Sequence, residues 1–188
     1  MKKVLGVLLA LIVVLVAFVA SRPATFHIER SATIAAPADS VFAHIGDLHQ
    51  WPSWSPWEKL DPNMTRSFAG TGVGSTYQWA GNDKVGEGRM TVTELEPARS
   101  VVLKLDFIKP FQATSTARFA LDPAPEGTRV TWSMDGNNNF IAKAMCIVMP
   151  MDKMVGPDFE RGLAGLKAVA EASAAAAPAA DSTAAATH

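Results

Sequence analysis

Residues 86–134 read GEGRMTVTELEPARSVVLKLDFIKPFQATSTARFALDPAPEGTRVTWSM, and this stretch decides the fold. It divides into four strand candidates, 86–95, 100–108, 112–121 and 128–134. Each is rich in β-branched, aromatic or aliphatic residues and closes on a turn signal. The breaks are Glu96-Pro97, Lys109-Pro110 and the run from Asp122 to Gly127. Connections this short favour antiparallel neighbours, because a parallel crossover needs a dozen residues or more. Val130, Trp132 and Met134 share one parity, so Trp132 is expected on the concave, core-facing side.

The pattern continues outward in both directions. Upstream, 64–68 and 75–79 read as two further strands, separated by Gly70-Thr-Gly-Val-Gly74 and followed by Gly81-Asn-Asp. In 26–34, Phe26, Ile28, Ala32 and Ile34 alternate with His27, Glu29, Ser31 and Thr33, giving a strand with one buried face. Arg30 breaks that alternation. A lone buried guanidinium is costly, so Arg30 is expected either to meet a carboxylate or to line a wet pocket and hold a ligand's anionic head. Val41, Phe42 and Ile45 recur at helical spacing in 40–47. Three prolines between His49 and Pro62 restrict that segment to short turns. Downstream, 152–171 reads as one long helix with Val155, Phe159, Leu163 and Leu166 along its apolar stripe. Gly162 and Gly165 thin it where something packs closely. One arrangement satisfies this order: a curved antiparallel sheet gripping the C-terminal helix, with an apolar gap between them.

The two ends stand apart from this domain of residues 23–171. Lys2 and Lys3 precede seventeen unbroken apolar or small residues, Val4 to Ala20, and Arg22 follows. As a helix the run spans roughly 25 Å, near the lower limit for crossing a bilayer. Residues 1–22 are therefore expected to be a single-pass anchor in the cytoplasmic membrane, with the domain on the extracytoplasmic, periplasmic side. The rival is a signal peptide and a secreted product, although small-x-small cleavage sites are poor here. The alanine-rich stretch 172–188 has no large apolar side chain to bury. It is expected to be a disordered tail, apart from a turn or two by which its alanines extend the preceding helix.

Composition removes several classes of function. The 188 residues carry a net charge of −1, from 17 basic and 18 acidic side chains, which offers no basic field for nucleic acid. One cysteine, Cys146, excludes an intramolecular disulfide framework and multi-cysteine zinc sites. No Ser-His-Asp order, metal-ligand cluster or nucleotide loop stands in the sequence, so neither a metal nor a cofactor is expected. The charged pairs Glu87/Arg89 and Lys104/Asp106 read as solvent-exposed strand faces, and His44 as a surface or capped histidine.

Several segments together resemble the SRPBCC, or START-like, superfamily, and within it the polyketide cyclase/dehydrase-type members. They are the run from Ser31 to Phe42, Trp54-Ser-Pro-Trp57 with Leu60-Asp-Pro62, the strands 70–79 and 81–90, Thr131-Trp132, and the helix segment Phe159 to Lys167. The resemblance covers about residues 26–171. It implies an α+β helix-grip fold, and it permits either ligand carriage or cyclase/dehydrase chemistry.

Three functional readings follow. The first is a membrane-tethered module that binds a hydrophobic small molecule or lipid between sheet and helix. The second is a cyclase/dehydrase-type enzyme, which needs a polar group enclosed in the cavity. The third is an interaction domain without a ligand. Sheet parity nominates Met90, Leu105, Phe119 and Trp132 for the cavity wall, and the helix nominates Val155 and Phe159. Trp54, Trp57 and Trp79 are placed nearer the mouth, with Arg30 as the candidate for a charged ligand head. Trp51, Trp54 and Trp57 have a plainer reading, in which they pin the Pro-rich segment onto the core. The Met-rich run 142–154 reads as a core segment, a flexible lid, or a patch lying on the bilayer.

Overall fold

The computed structural model describes residues 2–176. An apolar helix, α1 (Lys2–Ala20), leads into β1 (Thr25–Ile34) and α2 (Ala38–Gly46). Two 3-10 turns follow, Leu48–Ser53 and Pro56–Lys59. Six strands come next: β2 (Thr65–Ala69), β3 (Thr76–Ala80), β4 (Glu87–Glu96), β5 (Ser100–Lys109), β6 (Ala113–Ala124) and β7 (Gly127–Asn137). Two helices close the chain, α3 (Phe140–Val148) and α4 (Met151–Ala176). The strands form one seven-stranded antiparallel sheet in the order β1-β7-β6-β5-β4-β3-β2. This is the helix-grip arrangement, a curved sheet wrapped on a long helix. Register shifts at Glu87/Gly88 and Val92/Glu94 mark where β4 bends against β5, as bulges do in curved sheets.

Each expected strand is present, with ends displaced by at most three residues. Helix α2 begins at Ala38, two residues before the expected start, and α4 continues to Ala176. Those extra alanines lengthen the helix by about one turn, and the remainder of the expected tail lies outside the described residues. The Met-rich run differs more. It is not a core segment: most of it forms α3, a separate helix in which no side chain is buried. Asn139 caps α3 by accepting from the Ala142 amide at 2.9 Å, and Pro150 separates it from α4.

Buried side chains from both faces of the gap make the core: Ile28, Val92, Leu103, Phe119, Val130 and Trp132 from the sheet, and Phe159, Leu163 and Leu166 from α4. The tryptophan segment is part of it. Trp51 and Trp54 are buried, and their indole N–H groups donate to the carbonyls of Ile45 and His44 at 2.9 and 3.0 Å. These bonds satisfy the polar edge of each ring and the last carbonyls of α2 together. Trp54 therefore pins the segment to the core, and its expected place near the mouth is corrected.

Arg30 has its carboxylates. Nη1 donates to Asp152 Oδ1 at 2.8 Å and Nε to Glu160 Oε1 at 2.9 Å, which fastens β1 to the first turns of α4. Gly156 leaves room for this, since a Cβ there would meet the guanidinium at 2.1 Å. The guanidinium holds the Asp152 carboxyl below the usual carboxylate range, and the two carboxylates raise Arg30 in turn. A lowered carboxylate contributes stability that is complete above its unfolded value and is lost as pH falls through the folded one. Asp152→Asn should therefore lower the melting temperature modestly at neutral pH, where this partly exposed pair is intact, and by less as pH falls below about 4, so that the acid side of the profile flattens. An unaltered acid limb would exclude this pair as its source.

Candidate functional site

Between the concave sheet and the N-terminal half of α4 lies a cavity of about 280 Å³. That is close to the lower end of small-molecule sites. Its apolar wall is built from Met90 on β4, Leu105 and Phe107 on β5, Ala117 on β6, Trp132 and Met134 on β7, and Val155 and Phe159 on α4. Alternation along the strands puts these side chains on one face. The β3–β4 connection, from Asp83 to Gly86, and Lys109-Pro110 form the rim. Asp61 fixes that rim. Its side chain is buried and accepts from the amides of Asn63 at 2.9 Å and Asn82 at 2.7 Å, joining the turn before β2 to the β3–β4 connection.

Aromatic packing limits the cavity on its inner side. Trp132 stacks on Phe159 with centroids 4.1 Å apart and on Phe119 at 4.7 Å. Trp54 meets the same indole edge-on at 5.8 Å. The two helix glycines bring α4 down onto this cluster. A Cβ at Gly162 would stand 2.6 Å from the Trp132 ring, and one at Gly165 would stand 2.5 Å from the Trp54 carbonyl. This is the close packing that the thinned helix was expected to allow, and it closes the gap over the tryptophans and leaves the open volume beside Val155 and Phe159.

Seven of the nominated residues stand at the cavity: Trp57, Trp79, Met90, Leu105, Trp132, Val155 and Phe159. Trp79 lies across Gly88, where a Cβ would meet its ring at 2.5 Å, and its indole N–H donates to the Val85 carbonyl at 3.1 Å. Three nominated residues are elsewhere. Phe119 is fully buried behind Trp132, Trp54 is in the core, and Arg30 is held in its ion pairs with α4. His44 is also remote. It sits on α2 with Nε2 3.1 Å from Ser173 Oγ, and burial lowers its pKa.

The wall also holds polar groups that were not anticipated, Ser55, Tyr77, Asp158 and, the more enclosed of the two carboxylates, Glu58. Glu58, in the second 3-10 turn, has a side chain only 7% exposed. Tyr77 Oη donates to its Oε1 at 2.5 Å, and Arg66 Nε donates to its Oε2 at 2.6 Å. Charge-assisted bonds of this kind let a carboxylate remain in a dry wall. Burial first, and then Glu58, push the Tyr77 hydroxyl up in pKa. A carboxylate oxygen can accept more than one bond, so Glu58 retains acceptor capacity. Among the described residues, no group of three or more His, Cys, Asp or Glu side chains is placed to hold a metal ion.

A long helix gripped by a curved antiparallel sheet, with an apolar cavity between them, defines a START-like domain. The chain belongs to the polyketide cyclase / dehydrase and lipid transport family, whose model matches residues 25–171. No curated protein matches the sequence. Among solved structures, the chain is similar to the di-domain ARO/CYC StfQ from the steffimycin biosynthetic pathway, at 14% identity and TM-score 0.57, covering 81% of this chain and 51% of that one. It is also similar to the major latex-like protein 151 of Panax ginseng, at 16% identity and TM-score 0.55, covering 81% of this chain and 99% of that one. Protein Ms6760 of Mycobacterium smegmatis gives 20% identity and TM-score 0.55, with 78% and 92% covered. At these identities the structural likeness concerns the fold.

Proposed function

We propose that the protein is a membrane-tethered binding module for a hydrophobic small molecule or a single lipid chain, held on the extracytoplasmic face by α1. The observation that carries this reading is the open apolar volume between Leu105, Met90, Val155 and Phe159, in a fold whose core is otherwise closed by stacked aromatics. Burying apolar ligand surface there contributes roughly 25 cal/mol per Å² before ordering costs. The cavity volume suits one alkyl chain or a compact ring system. Lys3–Ala20 is long and apolar enough to cross a membrane, which supports the tether.

Glu58 favours a second reading. In a cyclase/dehydrase-type enzyme an enclosed carboxylate takes a proton from the substrate. In a binding module the same group accepts a hydrogen bond from a ligand hydroxyl or amine. Both oxygens of Glu58 already accept bonds from Tyr77 and Arg66. That arrangement suits an acceptor held in place more than a mobile base, so binding is the first reading.

Native mass spectrometry of the full chain purified from membranes tests both parts of the proposal. The expected spectrum shows the complete chain, α1 included, carrying an apolar adduct that organic solvent removes. A mature chain beginning near Arg22 would overturn the tether. Adduct-free protein that also binds no apolar dye would overturn the ligand site. If the extracted compound loses water on return to the protein, the enzymatic reading replaces the first.

A further inference from the structure

Strand register fixes which loops share an end of the sheet. Thr25 pairs with Asn137, Phe107 with Ala113, Glu87 with Lys109, and Ala80 with both Glu87 and Thr65. The α1–β1 junction, the entry to α3, and the β3–β4 and β5–β6 connections therefore all stand at one end. The rim of the cavity belongs to two of those connections.

Exposed apolar side chains gather at the same end. Phe111 at the β5–β6 tip is 58% exposed, and on or beside α3 Ile141, Val148 and Met149 are 57%, 87% and 52% exposed. Outside α1, Val73 is the one exposed large apolar side chain at the opposite end among the described residues. Scattered single apolar side chains are ordinary on a protein surface, whereas a cluster of them marks a contact. A helix of nine residues with none of them buried has little to hold it in water.

The N-terminal helix indicates what covers the cluster. Its last turn rests against α3: Lys143 Nζ donates to the Ala20 carbonyl at 3.2 Å, and Val19 is buried. The Arg22 guanidinium lies 4.2 Å from the centre of the Phe18 ring. The exposed apolar surface of α1 is thus continuous with that of α3. Arg22 and Lys143 stand at the junction, where long basic side chains reach from an apolar phase to water.

We propose that this end of the domain lies on the bilayer that α1 crosses. The helix α3 rests in the membrane interface beside the β5–β6 tip, with its exposed apolar side chains turned to the headgroup and acyl-chain boundary. The cavity then opens toward the hydrocarbon phase, and its ligand passes between membrane and protein without crossing water. The proposal rests on α1 as a retained tether and on the cavity as a ligand site.

Site-directed spin labelling of the full chain tests it, with one chain per phosphatidylcholine–phosphatidylglycerol nanodisc. Cys146→Ser removes the single native cysteine. Val148→Cys, Phe111→Cys and Glu126→Cys then place one label each, the last at the opposite end of the sheet. Labels at 148 and 111 should collide about tenfold less with an aqueous nickel chelate than the label at 126, and more with oxygen, as expected for a site sunk into the headgroup boundary. Equal aqueous exposure at all three positions overturns the proposal. So does protection that appears only when two chains share a disc, which would assign the surface to a second copy. The labels report depth rather than occupancy, so an empty cavity leaves this result readable. Release of the chain from the discs would identify a failed tether separately.

Discussion

Trp132→Ala should lower the unfolding free energy of the detergent-solubilised chain by about 3–5 kcal/mol, the usual range for removing a large buried aromatic. The indole is 2% exposed and stands between Phe119 and Phe159, with Trp54 and Trp57 meeting it edge-on. Its removal leaves a void that these rings cannot close, because Trp51 and Trp54 are fixed by their bonds to the end of α2. Among the described residues the indole N–H has no hydrogen-bond acceptor. Trp132→Phe retains most of the stacking and removes that unpaired donor, so it should cost much less than the alanine change. Urea unfolding of both variants gives the comparison. A small effect of Trp132→Ala, or equal losses in the two variants, would show that the stack does not hold the sheet to α4.

Leu105→Trp should weaken binding of an environment-sensitive apolar dye at least tenfold, about 1.4 kcal/mol. Leu105 is half-buried at the cavity wall on β5, opposite Met90 on β4 and Ser115 on β6. An indole at that position takes much of a volume of about 280 Å³. Glu94→Gln provides the control, since Glu94 is exposed and apart from the wall. Its affinity should match that of the unaltered protein. Equal binding by all three proteins would place the dye outside the cavity and remove the main support for the ligand reading.

Local periodicity carries the parts of this molecule that were readable in advance. Alternation along residues 86–134 was enough for the strands, and their short connections were enough for antiparallel order. The same parity placed Met90, Leu105 and Trp132 on the concave face. The residues misplaced in advance depend on contacts far apart in sequence. Parity puts Phe119 on the same face as Trp132, but it cannot tell which of them stands in front. The spacing of Trp51, Trp54 and Trp57 does not reveal that two of the rings reach back to α2 while the third turns to the cavity. Gly162 and Gly165 announced a close approach without saying what approaches, and the answer is the Trp132 ring and the Trp54 carbonyl. Glu58 joins Tyr77 and Arg66 only because β2 pairs with β3 and the 3-10 turn folds over them. The lone tyrosine of the chain was the one available hint.

The link between α1 and β1 bears on how such a domain would work. α1 ends at Ala20 and β1 starts at Thr25. Four residues reach at most about 14 Å when fully extended, less than half the thickness of a bilayer with its headgroups. On the anchored reading this is a very short leash. The domain can tilt on the surface, but it cannot detach and diffuse toward a second membrane. A compound leaving the cavity must return to the same leaflet or pass to a partner that comes to the rim formed by Asp83–Gly86 and Lys109-Pro110. Such a protein serves as a fixed station for its ligand, and any long-distance movement of that ligand falls to another carrier.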